Sequence, residues 1–247
     1  MRKLRTIFND WGNRTQRTYI HKQWVLSKWE VLDGIDWPVE KVKLLFQNIR
    51  DGLKPARFHS LIDIGCGGGW IQKGLKPYVK QTAGLDISLE MLRNAHLVSP
   101  RKTNLICGNV CELPLRDKSF DRILCYFVFI NFGDPKDIIK AILEIIRILK
   151  NGGRALIGQI PDRNFSSQYD TAKKEYLEYC RKNFQVGKNI RDICLVPVHP
   201  LDRKFFTAFL EKFNIPYEIR NSFNPFYRAG EPETVEWRFD LILQKKK

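Results

Sequence analysis

The sequence predicts an α/β fold: a doubly wound, mostly parallel sheet of seven strands, with N-terminal helices and an insertion capping its carboxyl edge. Three observations carry the prediction. Short apolar runs alternate with segments of helical periodicity from His59 to Ile160. The first run, Leu61-Ile62-Asp63-Ile64, passes straight into Gly65-Cys66-Gly67-Gly68-Gly69. The next ends in Gly84-Leu85-Asp86-Ile87-Ser88, whose acid lies about 20 residues beyond the first glycine.

The first 53 residues precede this alternation. Tyr19, Gln23, Leu26 and Glu30 fall near one helical face, and Ile20, Trp24 and Val31 near another. A helix is therefore expected from about Thr15 to Leu32, ended by Asp33-Gly34. Pro38 opens a second helix, Val39 to Gly52, with Val42, Leu45, Phe46 and Ile49 on one face. Trp11, Tyr19, Trp24, Trp29 and Trp37 make the segment aromatic. Residues 1–53 are read as an N-terminal helical lid, expected to pack on the sheet and, through some of its aromatics, to close over the ligand.

The core, residues 54–247, comes next. Strands are expected at His59–Ile64, Gln81–Asp86, Asn104–Cys107, Arg122–Phe127 and Arg154–Ile160, and helices at Trp70–Val79, Leu89–Val98 and Pro135–Leu149. The last helix carries Ile138, Ile142, Ile145 and Leu149 at helical spacing, with Asn151-Gly152-Gly153 as its stop. Strands joined through helices lie parallel, with right-handed crossovers. Pro161 to Pro200 is polar and breaks the pattern, with one helix near Ser167–Lys182. An insertion after the fifth strand overhangs the carboxyl edge, so residues 161–200 are read as a substrate cap. A helix from Leu201 to Phe213 and an antiparallel pair, Tyr217–Ser222 and Val235–Gln244, complete the domain.

A glycine turn after a buried strand lets a ligand approach the backbone, and the first helical N–H groups point at it. An acid at the end of the next strand grips a ribose diol. These residues therefore imply a nucleoside-containing cofactor at the carboxyl ends of parallel strands.

Asp63-Ile64-Gly65-Cys66-Gly67-Gly68-Gly69 resembles the D-x-G-C-G-x-G of class I S-adenosylmethionine-dependent methyltransferases of the domain 11-like type. Gly84-Leu85-Asp86-Ile87-Ser88 is similar to that family's G-x-D-x-S, and Gly108-Asn109-Val110-Cys111-Glu112-Leu113-Pro114 to its G-D-A-x-x-L-P. Phe120-Asp121-Arg122-Ile123 resembles its F-D-x-V. The resemblance covers roughly Phe58 to Pro161. It implies a Rossmann-like methyltransferase fold and S-adenosylmethionine as cofactor. It implies that Asp63 supports the glycine turn near the methionine amino group, and that Gly65, Cys66, Gly67 and Gly69 pass beside the amino-acid part. Asp86 would accept the ribose hydroxyls and Ile87 cover the adenine, with Asn109, Val110 and Cys111 at its edge. Tyr126 and Phe127 would face the transferred methyl. Asn109 stands where Asp is usual, and its carbonyl can still accept from an adenine amino group. Asn131, a substrate-side candidate, stands where the family often has His. Tyr19 is a second such candidate and could orient the cofactor carboxylate.

The net charge of +15 implies a surface that draws in anions. The Lys and Arg residues are spread along the chain, and no basic helix with interleaved aromatics or RNA-binding strand motif occurs. No apolar run approaches the ~18 residues that span a bilayer, and Met1-Arg2-Lys3-Leu4-Arg5 has no apolar stretch behind it, so a cytoplasmic protein is expected. Cys66, Cys107, Cys111, Cys125, Cys180 and Cys194 form no C-x-x-C pair, which fits reduced structural thiols and no metal site.

Methyl transfer is an in-line displacement, accelerated mostly by positioning and assisted by a base when the acceptor is a hydroxyl. His199, at the end of the cap, and His21, on the aromatic helix, are the candidate bases. His59 is expected to be structural and His96 solvated. The function expected is methylation of a small anionic molecule, at a hydroxyl of a nucleotide-linked or phosphorylated sugar-type metabolite. Gly158-Gln159-Ile160-Pro161-Asp162 and Phe165-Ser166-Ser167 are similar to stretches of surface-polysaccharide methyltransferases. RNA methylation is the alternative favoured by charge, although the N/D-P-P-[YFW] motif is absent. A non-catalytic S-adenosylmethionine-binding protein is a further alternative.

Overall fold

The computed structural model describes residues 5–10, 30–31, 35–36, 39–98, 104–183, 199–225 and 231–246. The expectations placed on Trp11, Tyr19, His21, Trp24, Trp29, Trp37, Pro38 and Cys194 lie outside these residues.

The main sheet has seven strands in the order β5-β4-β3-β6-β7-β9-β8. In chain order these are β3 (Ser60–Ile64), β4 (Gln81–Asp86), β5 (Asn104–Cys107), β6 (Phe120–Tyr126), β7 (Leu149–Pro161), β8 (Tyr217–Phe223) and β9 (Thr234–Gln244). The first five are mutually parallel, and β9 runs antiparallel between β7 and β8. Beside the helical segment of residues 5–10, the described residues include the helices α1 (Val39–Leu53), α2 (Trp70–Leu75), α3 (Leu89–Val98), α4 (Pro135–Ile148), α5 (Ser166–Asn183) and α6 (Arg203–Lys212). The chain reverses direction across the sheet from β3, so the carboxyl ends of β3, β4 and β6 open the crevice where such folds bind ligands.

Strand alternation places successive residues on opposite faces. Leu61, Leu124, Leu156 and Ile242 meet Val42, Leu45, Ile49 and Leu53 of α1. Ile62, Ile123, Ile157 and Phe239 meet Ile138, Ile142 and Ile145 of α4 and Phe206 and Leu210 of α6. Burying both faces explains the nearly unbroken apolar runs of β3 and β6.

Several boundaries differ from the sequence expectation. Asn151-Gly152-Gly153 does not stop α4. That helix ends at Ile148, and the three residues lie inside β7, where the register jumps from Phe120↔Leu149 to Arg122↔Arg154. Gly152 supplies the left-handed φ of 73° that this bulge requires, and its N–H donates to the Lys245 carbonyl. Helix α2 stops at Leu75 and tightens into a 3₁₀ turn over Lys76–Tyr78, because Pro77 has no N–H to continue it. Helix α6 begins at Arg203, capped by the Asp202 side chain, while Leu201 is held back by a bridge to Asp162. Where the helix is expected to continue to Leu32, Glu30–Val31 (β1) instead pairs antiparallel with Ile35–Asp36 (β2). Val31 and Ile35 flank Asp33-Gly34, a dipeptide that signals a hairpin as readily as a helix stop.

Asp162 and Leu201 form the neck of the segment between β7 and α6, tightened by the Arg203–Asp162 ion pair. Among the described residues no helix is long and apolar enough to cross a membrane, and no cluster of three or more His, Cys, Asp or Glu could hold a metal ion.

Candidate functional site

The glycine turn leaves the carboxyl end of β3 and is pinned from β4. The N–H groups of Gly65 and Cys66 both donate to the Leu85 carbonyl, at 2.6 and 3.0 Å. Gly65 has φ 74°, and a Cβ there would lie 2.3 Å from Val128 Cγ2, so both conformation and space demand glycine. Gly69 caps α2 with φ 76° and packs on Ala95 of α3.

Two acids serve this turn, in roles that differ from the sequence expectation. Asp86, not Asp63, supports it: Asp86 Oδ2 accepts the Gly67 N–H at 2.9 Å, and Oδ1 accepts the Ser88 N–H at 2.8 Å. The carboxylate keeps acceptor capacity beyond these two bonds. Burial raises the Asp86 pKa, opposed by the N–H donors of Ser88, Gly67 and Ile87. Asp63 is 2% exposed, and no hydrogen bond from a described residue reaches its carboxyl. Burial and the neighbouring Asp86 push the Asp63 carboxyl up to about 8.

Asn9, on the helical segment of residues 5–10, was not anticipated from sequence. Its Oδ1 accepts from the Ser88 hydroxyl at 2.7 Å, which brings the N-terminal segment to the loop beside Asp86. The same hydroxyl accepts the Met91 N–H.

The loop after β5 starts where the Gly108 N–H donates to the Asp86 carbonyl. Asn109 Oδ1 accepts the Cys111 N–H at 3.0 Å and keeps a second lone pair that could still accept. Its amide NH₂ is the group that remains to donate. Val110 is buried in the core, and the Cys111 thiol turns toward the Asp137 carbonyl, so these two pack the loop against α4. Ile87 lies partly exposed between Asp86 and Ser88.

At the end of β6, Tyr126 corrects the expectation. Its ring packs on Gly158, and its hydroxyl accepts from Asn48 Nδ2 at 3.1 Å, beneath the edge. Burial raises its pKa far above the usual phenol range. Phe127 has φ 61° and stands edge-on to Tyr126. Gln159, on neighbouring β7, has φ 64°. Two non-glycine residues in left-handed conformation on adjacent strand ends mark a place where strain is retained. Asn131 Nδ2 donates to the Phe127 and Val128 carbonyls, and its Oδ1 is buried without a partner. The His199 N–H donates to the Ile130 carbonyl and its ring lies against Gly133, so His199 reaches the turn that carries Asn131.

Behind this edge is a buried polar group that sequence reasoning missed. Asp240 accepts from Asn48 Nδ2 at 2.9 Å, from the Gln159 N–H at 3.1 Å and from the Ser222 hydroxyl, with Arg220 at 3.4 Å. Gln159 Nε2 donates to Ser222 Oγ and the Phe223 carbonyl. The signal was a polar residue inside each apolar run: Gln159 after Leu156-Ile157-Gly158, and Arg238 and Asp240 within Trp237–Leu243.

S-adenosylmethionine fits these residues. A buried carboxyl with no donor among the described residues complements an ammonium, the remaining acceptor capacity of Asp86 suits a ribose diol, and Gly65 and Gly67 leave the backbone of the turn open to close approach.

Residues 62–157 match the family model described as a methyltransferase domain. An uncharacterized protein of Methanocaldococcus jannaschii is 30% identical over 157 residues, 64% of this chain and 60% of that one. A ubiquinone biosynthesis O-methyltransferase of Idiomarina loihiensis is 32% identical over 149 residues, 57% of this chain and 58% of that one. The chain thus spans about 60% of the length of these two relatives. A methyltransferase of Haloferax volcanii, solved with the activator Trm112, superposes with a TM-score of 0.64 at 14% identity, covering 97% of this chain and 98% of that one, a likeness of fold. The domain match over residues 62–157, the sheet order and the glycine turn between Asp63 and Asp86 together resemble a class I S-adenosylmethionine-dependent methyltransferase domain.

Proposed function

We propose that this protein transfers a methyl group from S-adenosylmethionine to a small anionic molecule, at a hydroxyl of a sugar-type metabolite. The observation that carries the reading is the pairing of an undonated, buried Asp63 with the braced Asp86 across one glycine turn.

Asp63 would hold the cofactor's ammonium, Asp86 its ribose hydroxyls, and the Gly65–Gly67 backbone the chain between them. The cofactor supplies an electrophilic methyl. The chain's own part is positioning: Val128 walls the turn, and the N-terminal segment, tied to Ser88 through Asn9, would exclude water from the ribose end. In this proposal residues 1–53 act as the lid and 161–200 as the acceptor cap. Asn131 Oδ1, buried and unpartnered, would accept a hydrogen bond from the acceptor hydroxyl and aim its oxygen. His199, one turn away, would take the proton directly or through a water. A relative named as an O-methyltransferase supports an oxygen acceptor. The net charge of +15 supports an anionic one.

The test is calorimetric titration with S-adenosylhomocysteine, beside NAD, on wild type and Asp86→Ala, then methyl transfer to nucleotide sugars and to RNA. Micromolar homocysteine-product binding, weakened in the variant and absent for NAD, is expected, with turnover on the sugars. Binding without turnover on any acceptor leaves a binding protein. Turnover on RNA alone, with steep salt dependence, replaces the acceptor class. No binding in wild type overturns the reading.

A further inference from the structure

We propose that Arg238 is the anion anchor of the acceptor site, holding a carboxylate or phosphate carried by the molecule to be methylated. The inference rests on the methyltransferase reading and names the group that fixes its substrate.

Arg238 sits on β9 opposite Pro161, at the carboxyl edge of β7. It is 3% exposed. Nη1 donates to the Gln159 carbonyl at 2.8 Å, the phenols of Tyr169 and Tyr126 lie in its surroundings, and Nε has no partner among the described residues. Among the described residues no carboxylate forms an ion pair with it. Asp240, two residues along the same face, is already occupied by Asn48, Gln159, Ser222 and Arg220. Isolating a guanidinium from water without a counter-ion is unfavourable. Here its surroundings are aromatic: the Tyr169 ring lies 5.0 Å from the guanidinium carbon, and Phe127 and Trp237 each 5.9 Å. Rings stabilise the cation through its faces and leave its edge for hydrogen bonding.

The placement ties this edge to the reacting centre. Phe127, whose ring lies 5.9 Å from the guanidinium carbon, directly precedes Val128, whose methyl fills the space over Gly65. An acceptor anchored by an anion at Arg238 would extend past Phe127 toward the glycine turn. The left-handed Phe127 and Gln159 shape that passage, Gln159 presenting its carbonyl to Nη1. A planar guanidinium edge with a free Nε–H suits a carboxylate or phosphate oxygen. Both sources share that chemistry, and the experiment separates them.

The experiment follows thermal unfolding of the full chain saturated with S-adenosylhomocysteine, titrated with benzoate in one arm and inorganic phosphate in the other, for wild type, Arg238→Met and Arg238→Lys. At least one anion should raise the wild-type midpoint. Arg238→Met should weaken that response about tenfold or more, with S-adenosylhomocysteine affinity unchanged and a ligand-free midpoint no lower than wild type. Arg238→Lys, a point charge without the fork, should lose benzoate response more than phosphate response. A benzoate response assigns a carboxylated acceptor, and a phosphate response a phosphorylated one. An anion response equal in wild type and Arg238→Met, or none in wild type, overturns the proposal. If Arg238→Met does not fold, an undiminished benzoate response in Arg238→Lys overturns it. Failure of wild type to bind S-adenosylhomocysteine would instead strike the methyltransferase reading, and the anion arms without it would still decide on Arg238.

Discussion

Asp86 Oδ2 lies 2.9 Å from the Gly67 backbone nitrogen and accepts its N–H, tying the end of β4 to the turn that leaves β3. One carboxylate is thus both the brace of the turn and the candidate ribose acceptor. Asp86→Ala should leave the Gly67 and Ser88 N–H groups unpaired, at a cost of about 1–3 kcal/mol each where water cannot replace the acceptor. Asp86→Asn keeps one acceptor oxygen and should fall between. Chemical denaturation reads the stability and calorimetry the S-adenosylhomocysteine affinity. Lower stability with unchanged affinity would reduce Asp86 to a purely structural acid.

Asp63 gives a pH signature. Its carboxyl is raised from 3.8 to about 8 by burial and by Asp86. A raised folded value means the folded chain holds the proton more tightly. That contribution to stability is complete below the unfolded value, declines as pH rises, and is gone above about 8. Ligand-free wild type should lose stability across this window by a component that Asp63→Asn lacks. Pairing with an ammonium favours the carboxylate, so S-adenosylhomocysteine should bind more tightly toward the top of the window and release a proton near neutrality. Binding enthalpies independent of buffer ionisation would contradict this.

Asp121, the acid of the Phe120-Asp121-Arg122-Ile123 stretch, works at the opposite end of the sheet. Its Oδ2 accepts the Ser60 N–H at 2.9 Å, the Ser60 hydroxyl at 2.6 Å and Lys150 Nζ at 2.9 Å. Partial burial acts against ionisation, yet these donors hold the carboxyl down at about 2. A depressed value gives stability that is present above the unfolded pKa and lost as pH falls through the folded one. Asp121→Asn should cost about 1–3 kcal/mol, flatten the acid limb of the stability curve, and leave S-adenosylhomocysteine affinity unchanged. A matched loss of affinity would show that the anchor at the strand's start is coupled to the turn at its end.

The sequence made the sheet legible because β3, β4 and β6 are buried on both faces and bounded by glycine or acid. Hydrophobic run and turn agreed there, as at Ile62 and Gly65. It misled where one residue type serves two structures. Gly152-Gly153 could end a helix or form a bulge, and only the pairing of Arg154 with Gln244 and Arg122 decided for the bulge. At the site, glycines and acids were visible as types, but who bonds whom was not. Asp86 rather than Asp63 braces the turn, since the Gly67 N–H faces β4. Tyr126 falls under the edge because Gly158 leaves room for its ring. Arg238 and Asp240 come from the far end of the chain and meet Phe127 and Asn48 only through sheet order, which local periodicity does not encode.

The loop from Gly108 to Asp117 is held from α4 by a pair that touches no ligand. Glu144 Oε2 accepts the Leu113 N–H at 2.6 Å. Arg147 bonds Glu144, then donates to the Leu113 and Leu115 carbonyls at 3.0 and 2.7 Å and to Asp117. The Glu144 and Asp117 carboxylates raise the Arg147 pKa, so the guanidinium itself stays charged. Arg147→Ala frees two loop carbonyls and the Glu144 carboxylate together, at about 1–3 kcal/mol of stability. Because this loop carries Asn109 beside Asp86, about 1 kcal/mol of ordering should pass into ligand binding, a roughly fivefold weaker S-adenosylhomocysteine Kd. Arg147→Lys keeps the charge but cannot span both carbonyls, and should resemble the alanine variant more than wild type. Hydrogen exchange at the Leu113 amide separates the two parts: faster exchange with unchanged Kd would mean that the clamp stabilises the fold without positioning the ligand loop.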